Sequence, residues 1–212
     1  MTSVIILLNV IYRHKNNEGY NMKNRILLFV FMIGIMLNVA GYFLADFIKN
    51  FARIPLFLDS TGTILSAAIL GPLVGGLTGF TSNLILGVTH NPVNIPFSIV
   101  NIIIGLTTGI IVKRLGFTGL KSLLYCIVFV TILTAFSGAI VAFYVFGGVT
   151  GAKIDLNIIN IMNAGYKLFT SSFLVRLPTN LLDKSISILI SFFIVRNLKP
   201  EYQGFAIKKN DQ

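Results

Sequence analysis

Charged residues are nearly absent from several long stretches of this 212-residue chain and collect in the short gaps between them. A helix needs roughly 20 apolar residues to cross a bilayer. Residues 26–47 form the first such stretch, behind Lys23-Asn24-Arg25. Residues 56–87 follow, interrupted by Gly71-Pro72 into pieces of about 56–70 and 73–88. These pieces read as two tilted helices or as a re-entrant hairpin, and either arrangement returns the chain to the side it left. Residues 95–112 end at Lys113-Arg114, and residues 120–146 end at Gly147-Gly148. The last stretch, 178–195, ends at Arg196 and Lys199. Its Pro178 suits a first helical turn, where the missing N–H would be unpaired anyway. The pattern predicts an all-α membrane protein, a bundle of six transmembrane helices. The bundle occupies 22–200, with an N-terminal extension at 1–21 and a tail at 201–212.

Composition agrees. Hydrophobic residues make up 55% and charged residues 11%, with mean hydropathy +0.84. Soluble domains carry roughly 25% charged residues, so this chain has too few to cover a water-facing surface. That argues against an ordinary soluble enzyme, a disordered chain and a nucleic-acid-binding domain, despite a pI near 9.9. One cysteine, Cys126, leaves no disulfide framework or cysteine metal cluster. His14 and His90 are far apart and form no ligand motif, so neither a metal nor a cofactor is expected.

Positive charges collect in the cytoplasmic loops of membrane proteins. With six crossings, both termini share one side. That side holds Arg13, Lys15, Lys23, Arg25, Lys113, Arg114, Lys121, Arg196, Lys199, Lys208 and Lys209. The other holds Lys49, Arg53, Lys153, Lys167, Arg176 and Lys184. Eleven against six predicts a multi-pass cell-membrane protein with both termini cytoplasmic. On the outer side, residues 153–177 read as a partly helical lid or a plain interfacial connector. The apolar run 4–12 is too short to span and has no basic region before it, unlike a signal peptide. It reads as a weak surface anchor, or as sequence ahead of a true start at Met22.

Polar side chains at membrane depth are costly and usually face the bundle interior or a wet cavity. Asp59 either caps the second helix or contacts a ligand, and the two uses can coexist. Asn94, Phe97, Asn101 and Thr108 share one helical face; the amides serve as inter-helix glue or as ligand contacts, with Asn83 as a partner for Asn101. Arg176, Asn180, Asp183 and Lys184 form another stripe if the helix continues through Pro178. Asp183 then pairs with a neighbouring cation, or Lys184 or Arg176 holds an anionic or carbonyl group of a substrate. Aromatic residues near the outer ends, among them Phe57, Phe143 and Phe146, serve as interfacial belt or pocket wall. Small residues four apart permit close helix packing: Gly41/Ala45, Gly75/Gly79, Gly105/Gly109 and Ala135/Ala139. Most read as internal packing, and Gly41/Ala45 is the best candidate for docking another membrane protein. No HExxH, Gly-x-Ser-x-Gly or P-loop occurs, and no catalytic residue is assigned. The polar set suits binding, not chemistry.

These features resemble the S components of energy-coupling factor (ECF) transporters over about residues 25–200. The likeness lies in Phe57-Leu58-Asp59-Ser60-Thr61-Gly62-Thr63, in Leu70-Gly71-Pro72-Leu73-Val74-Gly75-Gly76-Leu77-Thr78-Gly79, in Asn83-Leu84-Ile85-Leu86-Gly87, and in Leu177-Pro178-Thr179-Asn180-Leu181-Leu182-Asp183-Lys184. The resemblance implies capture of a vitamin-like, water-soluble molecule from outside. Delivery follows by docking on a transmembrane coupling subunit with two ATPases, so this chain is not itself an enzyme. The family's first-helix Ala-x-x-x-Ala docking motif becomes Gly41-x-x-x-Ala45 here, with Ala40 adjacent. Family sites lie in the first outer loop and the outer halves of helices four to six, where Asp59, Asn94, Asn101, Arg176, Asn180 and Lys184 fall. The competing expectations are a membrane sensor module and, more remotely, a lipid-acting membrane enzyme.

Overall fold

The computed structural model describes residues 2–52, 56–151, 154–198 and 202–206, with side chains from residue 25 onward except at 52 and 205. Of the cations counted above, Arg53, Lys153, Lys199, Lys208 and Lys209 lie outside the described residues. Among those described there are seven α-helices and no strand: α1 Thr2–Ala52, α2 Thr61–Leu70, α3 Pro72–Thr89, α4 Asn94–Leu115, α5 Leu120–Phe146, α6 Asp155–Asn163 and α7 Leu168–Asn197. A short 3-10 turn, Gly204–Ala206, follows. Four helical segments are long and apolar enough to cross a membrane: Arg25–Phe51, α4, α5 and α7. The expectation of six spanning helices is therefore met only at four. The extension at 1–21 is not marked off by a break, because α1 runs through it.

The 56–87 stretch resolves into an antiparallel pair. Gly71 takes φ 93, a left-handed value open to glycine, and Pro72 starts α3 where no N–H is needed. A Cβ on Gly75 would collide with Ala67, and one on Gly79 would sit 3.0 Å from Thr63 Oγ1. α2 has 10 residues, or about 15 Å of helix, too short to cross. Its first turn is fed from another helix. Asn38, mid-way along the apolar part of α1, accepts the N–H groups of Gly62 (2.7 Å) and Thr63 (3.2 Å). It also donates to Thr63 Oγ1 (2.8 Å) and Ser82 Oγ (3.0 Å). Asn38 thus satisfies donors that a helix start leaves open, whereas Ser60, at the N-cap, makes no side-chain cap bond.

The consequence is that α2 begins at the depth of α1's midpoint, so residues 56–60 enter the bundle as irregular backbone. Such backbone is tolerated at membrane depth only where protein buries it or a wet cavity borders it. Here Asp183 Oδ1 on α7 accepts Phe57 N–H (2.8 Å) and Leu58 N–H (2.7 Å). Leu58 itself is held at φ 50. On its other side Gly41 lies so close to the Leu58 carbonyl that any side chain there would strike it.

α7 absorbs the second half of the expected lid. Only α6 stands apart, and Leu168–Asn197 is continuous with Pro178 inside it. Proline removes a helical donor; nearby, Thr179 Oγ1 donates to the Val175 carbonyl (3.0 Å) and Asn180 Nδ2 to the Arg176 carbonyl (2.8 Å).

The two ends of the bundle differ. At the end holding the α2–α3, α4–α5 and C-terminal turns, the core is apolar: Ile64, Ile104, Val112, Phe117, Val130 and Ile188 are buried together. The Phe117 N–H donates to the Ala206 carbonyl (2.7 Å), so the post-α7 turn seals this end. The opposite end carries the buried charged residues Arg176, Asp183 and Lys184 and the amides of Asn83, Asn101 and Asn180. Of the docking residues expected at Ala40, Gly41 and Ala45, two pack inside the chain. Ala45 is buried against Leu56 and Leu58, and Gly41 packs on the loop, leaving only Ala40 exposed.

Candidate ligand-binding site

Two polar groups meet at the loop. Lys184, buried on α7, lies 2.6 Å from Asp183 Oδ2 and 3.5 Å from Asp59 Oδ1, and donates to Ser60 Oγ at 2.9 Å. An ammonium has three donors; Ser60 Oγ and Asp59 Oδ1 accept two of them. The Asp183–Lys184 contact is an ion pair without good hydrogen-bond geometry at Oδ2, as expected for adjacent residues on a helix. The alternative of an internal Asp183 ion pair is therefore the one observed. Asp59 does not cap α2 with its side chain; it faces Lys184 and is 20% exposed.

The second group joins α3 and α4 to the same loop. Asn101 Nδ2 donates to the Asp59 carbonyl (3.0 Å) and to Asn83 Oδ1 (3.0 Å). Asn83 Nδ2 in turn donates to the Asn94 carbonyl (3.4 Å). Backbone carbonyls are acceptors only, so both amide orientations are fixed. Asn101 is then left with its Oδ1 buried and without a partner. Asn94 opens α4 as its first residue, and its Nδ2 also lacks a partner.

Arg176 lies one face over, on α7. It is 5% exposed. Its Nε donates to Ser172 Oγ (3.2 Å), its Cζ lies 5.5 Å from the centre of the Phe97 ring, and its Nη2 has no partner. Phe97 stacks on Phe146 at 6.1 Å with an 18° interplanar angle. Gly138 on α5 completes the wall: a Cβ there would touch Arg176 Cδ at 3.6 Å and Phe97 at 3.9 Å.

The structure thus links the eight expected site residues through one loop and three helices. Asp59 touches both Asn101 and Lys184, Asn101 reaches Asn94 through Asn83, and Phe97 faces Arg176. Two of them have structural duties. Lys184 is held by two carboxylates and the Ser60 hydroxyl, and Asn180 uses its amide on the Arg176 carbonyl. Thr108, on the stripe below Asn101, is buried with its Oγ1 unpartnered. Sequence reading missed Asn38, Ser60, Ser172 and Gly138. Asn38 had a readable signal, an amide alone in the middle of an apolar helix; the other three are small residues with no signal of their own. No group of three or more metal-ligating side chains occurs among the described residues. Comparison with known protein families, with characterised proteins and with solved structures finds no match to this chain.

Proposed function

We propose that this chain is a substrate-capture subunit of an ECF-type importer: it binds a small water-soluble nutrient at the polar end of the bundle and delivers it by docking on a coupling subunit with two ATPases. The observation that carries this reading is the loop at 56–60. An irregular segment held at mid-bundle depth by Asp183 and Lys184 closes the apolar half from the polar half. Above it lie buried polar atoms with no protein partner on Arg176, Asn94 and Asn101. Leaving such atoms unpaired costs about 1–3 kcal/mol each, and a polar ligand or water entering from that end removes the cost. An apolar core sealed by Phe117 and the Gly204–Ala206 turn lies beneath, so in this reading the ligand enters from the polar end. With the termini cytoplasmic, that side is the outer one.

In this reading the chain itself is not an enzyme, and ATP hydrolysis belongs to the partners. The test is purification from native membranes in mild detergent. Mass spectrometry is expected to find a coupling subunit and two ATPases with the chain, and their ATPase activity is expected to depend on its presence. Purification with a signalling protein in their place favours the sensor reading instead.

A further inference from the structure

Within that capture reading, the charge pattern narrows the ligand. The two cations at the polar end are not equivalent. Lys184 is matched by Asp183, Asp59 and Ser60. Arg176 has no carboxylate within ion-pairing distance among the described residues, and its Nη2 is buried without an acceptor. Asp155, the carboxylate whose field reaches it, is already tied to Thr150 through the Thr150 N–H (2.8 Å). A guanidinium out of water with an open N–H calls for an oxyanion acceptor.

The loop shows the reverse imbalance. Asp59 and Asp183 carry two negative charges against the one positive charge of Lys184. Asp59 is the weakly held member at 3.5 Å and is partly exposed. Beside it, Asn101 Oδ1 is an acceptor with nothing to accept, in an orientation fixed by two backbone carbonyls. This end calls for a donor. Asn101 stands four residues below Phe97 on α4, roughly 6 Å of helical rise, and the Arg176 Cζ lies 5.5 Å from the centre of the Phe97 ring. The Phe97 ring, stacked on Phe146, therefore stands beside the anion-seeking group and one helical turn above the donor-seeking Asn101, an apolar wall that suits an aryl body.

We propose that the ligand is a small amino-carboxylate with an aryl body. Its carboxylate meets Arg176, its N–H meets Asn101 Oδ1 and Asp59, and Lys184 is a structural counter-ion and not the anion anchor.

The probes are 4-aminobenzoate, 4-(aminomethyl)benzoate and tryptophan, each at 1 mM against the full chain in mild detergent, read as a shift in unfolding temperature. At least one is expected to raise the midpoint by several degrees. The matching amide, which lacks the anion, and benzoate, which lacks the donor, are expected to bind at least tenfold more weakly. Arg176→Gln is expected to abolish the difference between acid and amide, while Arg176→Lys, which keeps the charge, retains part of it. Unliganded unfolding temperature and elution profile check that both variants fold. The proposal is overturned if none of the three probes stabilises the protein. It is equally overturned if acid and amide bind alike, or if folded Arg176→Gln discriminates as the wild type does. Any of those results, combined with recovery of the coupling subunit and ATPases, removes the ligand assignment and leaves the importer reading standing.

Discussion

Asp183 does more than neutralise a lysine. One oxygen accepts two backbone N–H groups from the loop and the other faces Lys184. Replacing it with alanine orphans two donors and leaves the buried ammonium with only Ser60 and the more distant Asp59. Removing one partner of a buried pair costs about 3–5 kcal/mol, so Asp183→Ala is expected to lower unfolding free energy by that amount in detergent denaturation, or to prevent folding. Asn38→Ala is expected to cost about 1–3 kcal/mol by the same measurement, because the Gly62 and Thr63 donors at the start of α2 lose their acceptor. Asn94 makes the contrast. Its side-chain nitrogen bonds nothing in the protein, so Asn94→Ala is expected to change stability by less than about 0.5 kcal/mol while weakening ligand retention. A large loss of stability in Asn94→Ala would assign that amide to the scaffold.

At the scale of elements, the packing of α1 on the loop can be tested directly. Gly41 abuts the Leu58 carbonyl, and Ala40, beside it, is exposed. Gly41→Ala is expected to displace the loop and cost about 1–3 kcal/mol by overpacking, whereas Ala40→Leu is expected to be nearly neutral for folding. Equal effects at the two positions would place the α1 face incorrectly. The same contrast shows what was legible in the sequence. Apolar length located the spans of α4 and α5 to within a few residues, since burial in lipid is set by run length. The Gly71-Pro72 break located the α2–α3 turn. Facing direction was not legible: Gly41 and Ala45 make a stripe of small residues whether it meets a partner protein or the chain's own loop, and only the position of Leu58 decides. The continuity of α7 through Pro178 was hidden as well. Proline predicts an interruption, and the Thr179 and Asn180 bonds to nearby carbonyls are tertiary detail of one turn. The candidate site residues were legible because amides and cations in apolar helices stand out. Which of them is free, Arg176 or Lys184, depended on partners more than a hundred residues away.

The whole molecule is a bundle with a sealed apolar end and a polar end whose buried groups are incompletely satisfied. The proposed capture function requires that water and a ligand reach Asn101 from the polar end alone. Substituted-cysteine labelling in intact cells measures this. The background is Cys126→Ser, since the native thiol is buried. Single cysteines at Asp59, Asn94 and Asn101 are treated with a membrane-impermeant thiol reagent applied from outside, with cysteine at exposed Lys113 as the control for the opposite face. The account predicts labelling at positions 59, 94 and 101 from outside, slowed at least tenfold by bound ligand, and labelling at 113 only after the membrane is opened. Labelling at 101 only from the cytoplasmic side, or at none of the three before solubilisation, would contradict it.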